Sequence, residues 1–303
     1  MNVIQLLAAE AAGTARADWR VRIVRAALRA ACSLAPERTS RVVERLWVTP
    51  PRARISPEIA AFLDTAEPLS LTHGDTRVAA YAWGAGPLAL VMHGWGSGAG
   101  RLRSVIEALT GAGLRVIAFD APGHGRSGDS EWGPRQANFR EMAAILVALG
   151  REHGPARAIV AHSGGCTASA FALRRGLVAE RAVWFAPMAN PTVYAARFQR
   201  ALALSDEVML RFQARSTRRL GFPWSDLDMV ALPRHARTPP ALVVHDRDDI
   251  ETFSSDGTAV AASWPHSRLI KTQGLGHRGV LRDAKALDAM ADFVAEPVLR
   301  AVG

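Results

Sequence analysis

The chain is poor in lysine and in cysteine, and it lacks any long uncharged apolar run. Only Lys271 and Lys285 are lysines, so nearly all of the 37 basic residues are arginine; set against 28 acidic ones they give a formal net charge of +9. The arginines are scattered over every predicted helix face rather than clustered with aromatics on one element. That pattern reads as a solvated surface and argues against a nucleic-acid partner, while modestly favouring anionic substrates. Two cysteines, Cys32 and Cys166, cannot make a disulfide framework, and a reducing, cytoplasmic location is expected. Without an apolar run of bilayer length, no integral membrane segment is expected. Near the start, Glu10, Arg16, Asp18, Arg20 and Arg22 interrupt what would be the apolar core of a secretory signal. The Ala/Arg-rich amphipathic pattern there leaves a transit peptide or a membrane-surface helix as lesser alternatives. Also missing are the Gly-x-Gly-x-x-Gly and Gly-Lys-Ser/Thr loops that cradle phosphates. His73, His153, His235 and His266 have no acidic partner at ligand spacing, so neither a metal nor a cofactor is expected.

What is present is a globular composition, 49% apolar and 21% charged over 303 residues, enough for one large α/β domain or two small ones. Residues 1–68 read as an N-terminal helical extension packed on the main domain, broken by Pro50, Pro51 and Pro57. Residues 69–303 alternate strands and helices. Strands are predicted at 76–83, 87–93, 114–119, 157–162, 182–186, 241–246 and 267–271, and helices near 100–111, 136–151, 164–175, 255–262 and 281–295. The continuously apolar inner runs, such as Leu88–Met92 and Ala241–Val244, belong to parallel strands covered by helices on both faces. The expected fold class is therefore α/β, with a mostly parallel central sheet. About fifty residues with helical pattern, near 190–238, interrupt the alternation. Ser205 with Asp206 and Glu207 is a helix start and Gly221 with Pro223 a stop, so this insertion reads as a helical lid. Its Phe198, Phe212, Phe222 and Trp224, with several arginines, suggest an apolar pocket with a basic rim, which would suit a medium acyl chain and also a carboxylate.

In open α/β sheets the ligand sits beyond the carboxyl ends of the strands, and polar motifs stand at several such ends. Ala161-His162-Ser163-Gly164-Gly165 follows an apolar strand and opens a helix. Small neighbours on both sides allow the sharp turn that exposes a serine hydroxyl. His93-Gly94-Trp95-Gly96 ends another strand, and its Trp95 amide, with that of Gly164, is placed to bind an oxyanion. A serine needs a base, itself oriented by a third group. Gly276-His277 follows the last strand, and Asp246, Asp248 and Asp249 follow the one before it. Three aspartates compete for the orienting role, and spacing favours Asp249. Asp120 and His124, in a turn rich in Gly and Pro, read as structural caps. His162 reads as a packing residue facing away from Ser163, His245 as a satisfied core histidine, and Cys166 as core filler.

The chain resembles the α/β-hydrolases over roughly residues 70–295. The likeness rests on His93-Gly94-Trp95-Gly96, on the Asp120 to Ser127 turn, on the Ser163 turn, and on the Asp and Gly-His277 segments in that order. It implies Ser163 as nucleophile, His277 as base and later acid, Asp249 as orienter, and Trp95 with Gly164 as oxyanion donors. Ala161 and Asp246 stand where the family commonly has glycine. The implied activity is hydrolysis of carboxylic esters or related acyl compounds, a small-molecule acyl substrate passing through an acyl-enzyme. An acyltransferase, thioesterase, amidase or C–C hydrolase would use the same triad, and a silent ligand-binding receptor is the alternative from outside enzymes.

Overall fold

The computed structural model describes residues 19–52 and 54–297. Two helices, α1 (Trp19–Leu34) and α2 (Pro36–Val48), come first, then the short α3 (Pro57–Leu63). Pro57, read from the sequence as a break, instead opens α3, because the first helical position needs no N–H donor. There follow β1 (Glu67–His73), β2 (Thr76–Trp83), β3 (Leu88–Met92), α4 (Arg103–Gly111), β4 (Arg115–Phe119), α5 (Phe139–His153), β5 (Ala156–His162), α6 (Gly164–Arg174) and β6 (Ala179–Phe185). Next come α7 (Pro191–Leu202), α8 (Asp206–Leu220), β7 (Ala241–Asp246), α9 (Ser254–Ser263), β8 (Arg268–Thr272), the single-turn α10 (Gly276–Gly279) and α11 (Ala284–Ala295). The residues Glu10, Arg16 and Asp18, on which part of the argument against a secretory signal rests, lie outside the described residues.

The strands form one eight-stranded sheet in the order β1-β2-β4-β3-β5-β6-β7-β8. β1 and β2 are antiparallel to their neighbours, and every pair from β4 to β8 is parallel. The carboxyl ends of β3 to β8 therefore share one edge. β1 was not among the predicted strands. It lies at the sheet edge, begins Glu67-Pro68, and alternates only over Leu69-Ser70-Leu71-Thr72, with Leu71 alone fully buried, so its apolar signal is short. Successive inner-strand residues feed opposite faces. Leu90, Ile117, Ile159 and Trp184 pack under α5 and α6 on one face, while Val91, Val116, Val160 and Val183 pack under α4 and α11 on the other.

A third core lies apart from the sheet. The insertion between β6 and β7 builds α7 and α8, and local chemistry defines the second of these. Ser205 caps it by accepting from the Val208 N–H, Asp206 and Glu207 stand in its first turn and Arg218 and Arg219 in its last, and Gly221 ends it at φ 80°. Phe198 and Phe212 from these helices bury themselves against Val43 and Val48 of α2 and Val21 of α1. Ion pairs reinforce the contact: Arg211 and Arg215 reach Glu37, and Arg215 and Arg219 reach the buried Glu44. Arg25 adds a hydrogen bond to the Arg200 carbonyl at 2.7 Å. The helices α1 and α2 thus pack mainly on the insertion between β6 and β7 rather than on the sheet. Among the described residues, no helix is long and apolar enough to cross a membrane.

Candidate active site

β5 ends at His162 and α6 begins at Gly164, which leaves one residue to turn the chain. Ser163 makes that turn at φ 56°, ψ −127°, a backbone state that residues with a Cβ avoid. Its neighbours leave no room for side chains: a Cβ on Gly165 would lie 2.3 Å from the His93 carbonyl oxygen, and one on Gly94 would lie 3.0 Å from the Ser163 Cβ. Ala161, where family patterns favour glycine, lies buried in β5 between Met92 and Trp184, and its methyl fits there. The Ser163 N–H donates to Phe185, and its carbonyl accepts from Cys166 and Met188. The backbone is thus tied on both sides. Among the described residues the hydroxyl itself makes no hydrogen bond.

Beyond β7 and β8 the structure brings His277 and Asp249 together. His277 Nδ1 donates to Asp249 Oδ2 at 2.7 Å; because that carboxylate carries no proton, Nδ1 must, and Nε2 keeps its lone pair. Asp249 is buried and heavily hydrogen-bonded. Oδ1 accepts the N–H groups of Glu251 and Thr252, and Oδ2 also accepts the Thr252 hydroxyl at 2.8 Å. Burial alone would raise this carboxyl, but hydrogen bonds from His245, His277 and Thr252 outweigh it and hold the group well below the usual carboxylate range.

The competing aspartates have a different task. Asp246 accepts from the Thr272 hydroxyl at 2.6 Å and from the Leu275 N–H, and Asp248 accepts from the Gly274 N–H. Both brace the loop that delivers His277, and neither touches its ring. Two sequence readings need correction. His245 is not a satisfied core histidine: its Nε2 lies 3.3 Å from Asp249 Oδ2, and its buried Nδ1 has no partner among the described residues. Gly257 of α9 closes over that nitrogen, where an added Cβ would come within 2.7 Å. His162 does not face away from the site. Its ring centroid lies 4.5 Å from that of His277, and its Nε2 donates to the His277 carbonyl at 2.9 Å. Burial first, and then neighbouring His277, push the His162 pKa well down, so the ring is neutral. His245 and Thr252 were missed by sequence reasoning; the only signal was their spacing of four and three residues from Asp249.

The other side of the site is a pair of stapled loops. His93 Nδ1 donates to Gly94 O and its Nε2 accepts from the Ala121 N–H; His124 Nε2 accepts from the Gly96 N–H. Asp120 accepts from the Ala99 and Arg126 N–H groups, as a structural cap would. Trp95 therefore sits on a short segment clamped immediately before and after it. Gly164, as the first residue of α6, presents an N–H with no intrahelical partner. An added Cβ on Gly164 would lie 3.7 Å from the Trp95 Cβ, so the two residues adjoin.

A family model described as serine aminopeptidase, S33, matches residues 87–268, more than half of the chain. The chain belongs to that family. Solved structures place this S33-family protein in the α/β-hydrolase fold. An esterase from Pyrococcus furiosus matches with a TM-score of 0.59 at 18% identity, over 82% of this chain and 96% of that one. A variant of a meta-cleavage product hydrolase matches at 0.55 and 18% identity, over 77% and 98%. The thioesterase domain from the curacin biosynthetic pathway matches at 0.52 and 16% identity, over 76% and 99%. No curated protein sequence matches the chain.

The lid of this S33-family hydrolase differs from its expected role as an aromatic pocket with a basic rim. Phe198 and Phe212 are fully buried in the third core, and Phe222 packs tilted against Phe171 with ring centroids 4.4 Å apart. Arg211, Arg215 and Arg219 are engaged with Glu37 and Glu44. Trp224 alone of the four aromatics lines the cavity beside Trp95, which is only about 30 Å³.

Proposed function

We propose that this hydrolase cleaves carboxylic esters or related acyl compounds through an acyl-enzyme on Ser163. The observation that carries the reading is the strained turn that exposes Ser163 at the sheet edge to which the chain also delivers a His277 ring with its Nδ1 proton fixed on Asp249. In the first half-reaction Ser163 Oγ attacks the acyl carbon as its proton passes to His277 Nε2, and the Trp95 and Gly164 amides stabilise the oxyanion. The imidazolium returns that proton to the leaving alcohol. In the second, His277 takes a proton from water, the hydroxide oxygen adds to the acyl carbon, and the carboxylic acid departs as Ser163 regains its hydrogen. The reading requires the Ser163 hydroxyl to reach His277 Nε2 once substrate is bound, as is common for catalytic hydrogen bonds. Both cysteines are free and buried, which supports a reducing, cytoplasmic setting.

The decisive variant is Ser163→Ala. It should lose covalent labelling by a fluorophosphonate and lower kcat for p-nitrophenyl acetate by roughly 10⁴-fold or more. Labelling or turnover retained in that variant would sink the reading.

A further inference from the structure

The cavity beside Trp95 draws its lining from three parts of the chain. Trp95 and Phe139 come from the sheet domain, Leu220 and Trp224 from the lid, and Trp47 from α2. Two polar side chains in this wall are already engaged: Ser216 Oγ accepts from Trp224 Nε1 at 3.1 Å, and Asn138 caps α5 and donates to Glu141. The surface offered to a ligand is therefore mainly apolar and aromatic, and it carries no charged side chain to pair with a charged acyl group. The floor adjoins the amide that follows Ser163, since a Cβ on Gly164 would touch Phe139 at 3.5 Å and Trp95 at 3.7 Å. A space of about 30 Å³ admits roughly two water-sized groups.

We propose that α2 is the end wall of the acyl pocket and that Trp47 restricts it to a short apolar acyl group of about two or three carbons. The proposal rests on the acyl-enzyme reading above. Trp47 is able to set a length because it is held from behind. Its ring stacks on Trp224 at 5.8 Å and meets Phe198 edge-on at 5.4 Å. The helix that carries it is fixed to α8 through Glu37 and Glu44. A helix pair that reads in the sequence as an extension without chemistry thereby decides substrate size.

The test uses the full chain and a series of p-nitrophenyl esters from acetate to octanoate, with wild type, Trp47→Ala and Trp47→Leu. Wild type should prefer acetate to hexanoate by about tenfold or more in kcat/KM, and either variant should raise the hexanoate-to-acetate ratio by about tenfold, as expected for freeing a few methylenes' worth of apolar pocket. Because the ratio is taken within one preparation, it is insensitive to the fraction folded, and Trp47→Leu keeps an apolar side chain should Trp47→Ala unfold. An unchanged ratio in both variants, or a wild type that accepts octanoate as readily as acetate, overturns the end-wall role. Fluorophosphonate labelling of wild type separates the two failures: labelling with an unchanged ratio removes only the end wall, whereas absence of labelling removes the acyl-enzyme reading and this inference with it.

Discussion

At the scale of single residues, the three aspartates after β7 show how equal sequence candidates acquire unequal work. Asp249 alone reaches the His277 ring, while Asp246 and Asp248 tie down the backbone before it. Asp249→Asn should therefore lower kcat/KM by about 10³ to 10⁴-fold, since an amide no longer fixes the imidazole tautomer. Asp246→Asn should cost about 1–2 kcal/mol of stability through its lost acceptor while lowering kcat/KM far less. Steady-state rates on p-nitrophenyl acetate with urea unfolding of both variants check this, and greater kinetic damage at Asp246 would reverse the assignment. The spacing that favoured Asp249 was legible because a turn after a strand has few ways to present a carboxylate. His245 and His162 were not legible, because a strand's inward or outward register does not say which loop will fold back over its end.

At the scale of elements, the inner strands and the helices that cover them could be read directly, since unbroken apolar runs and capped amphipathic segments leave few alternatives. The start and stop of α8 were likewise written in Ser205 and Gly221. What local pattern could not convey was the partner of α1 and α2, because an amphipathic face does not name the surface it will meet. The answer lies in long-range pairs, of which the Glu44 carboxylate between Arg215 and Arg219 is the most buried. Arg215→Met leaves that carboxylate with one cation, and the expected loss is about 2 kcal/mol, below the full cost of stripping a buried charge because Arg219 remains. Chemical denaturation reads this change. A variant as stable as wild type would mean that apolar packing alone holds the helices to the lid.

At the scale of the molecule, burial of histidine sets a pH limit. Burial pushes the His93 pKa down from 6.5 to about 4 and, helped by neighbouring His93, that of His124 to about 3, while His162 is also held well down. Each of these rings accepts or donates as a neutral group, and the acceptor nitrogens of His93 and His124 would be lost on protonation. In the unfolded chain the same side chains take up protons near 6.5, so between that value and the folded ones the unfolded state binds more protons. Their contribution is complete above about pH 6.5 and is lost as pH falls toward 4 and 3; for His93 alone it is about 3 kcal/mol. Glu141 and Asp256, whose carboxyls burial raises, act oppositely, being stabilising at low pH and less so as pH rises through their folded values. The histidines outnumber them, so Tm should fall steadily from pH 7 to pH 4. A Tm that stays level across that range would contradict the neutral, buried assignment.

The third core also has a consequence in time. Arg211 meets Glu37 across 174 positions of sequence, so α1 and α2 leave the ribosome well before the lid that receives them exists. At roughly 5–20 residues per second that interval is on the order of ten to thirty seconds. Throughout it Val43 and Val48 lack the surface that buries them, and a nascent chain in that condition is open to chaperone capture or to contact with its neighbours. Among the described helices, the first to be synthesised must wait for a landing site encoded more than half a chain later.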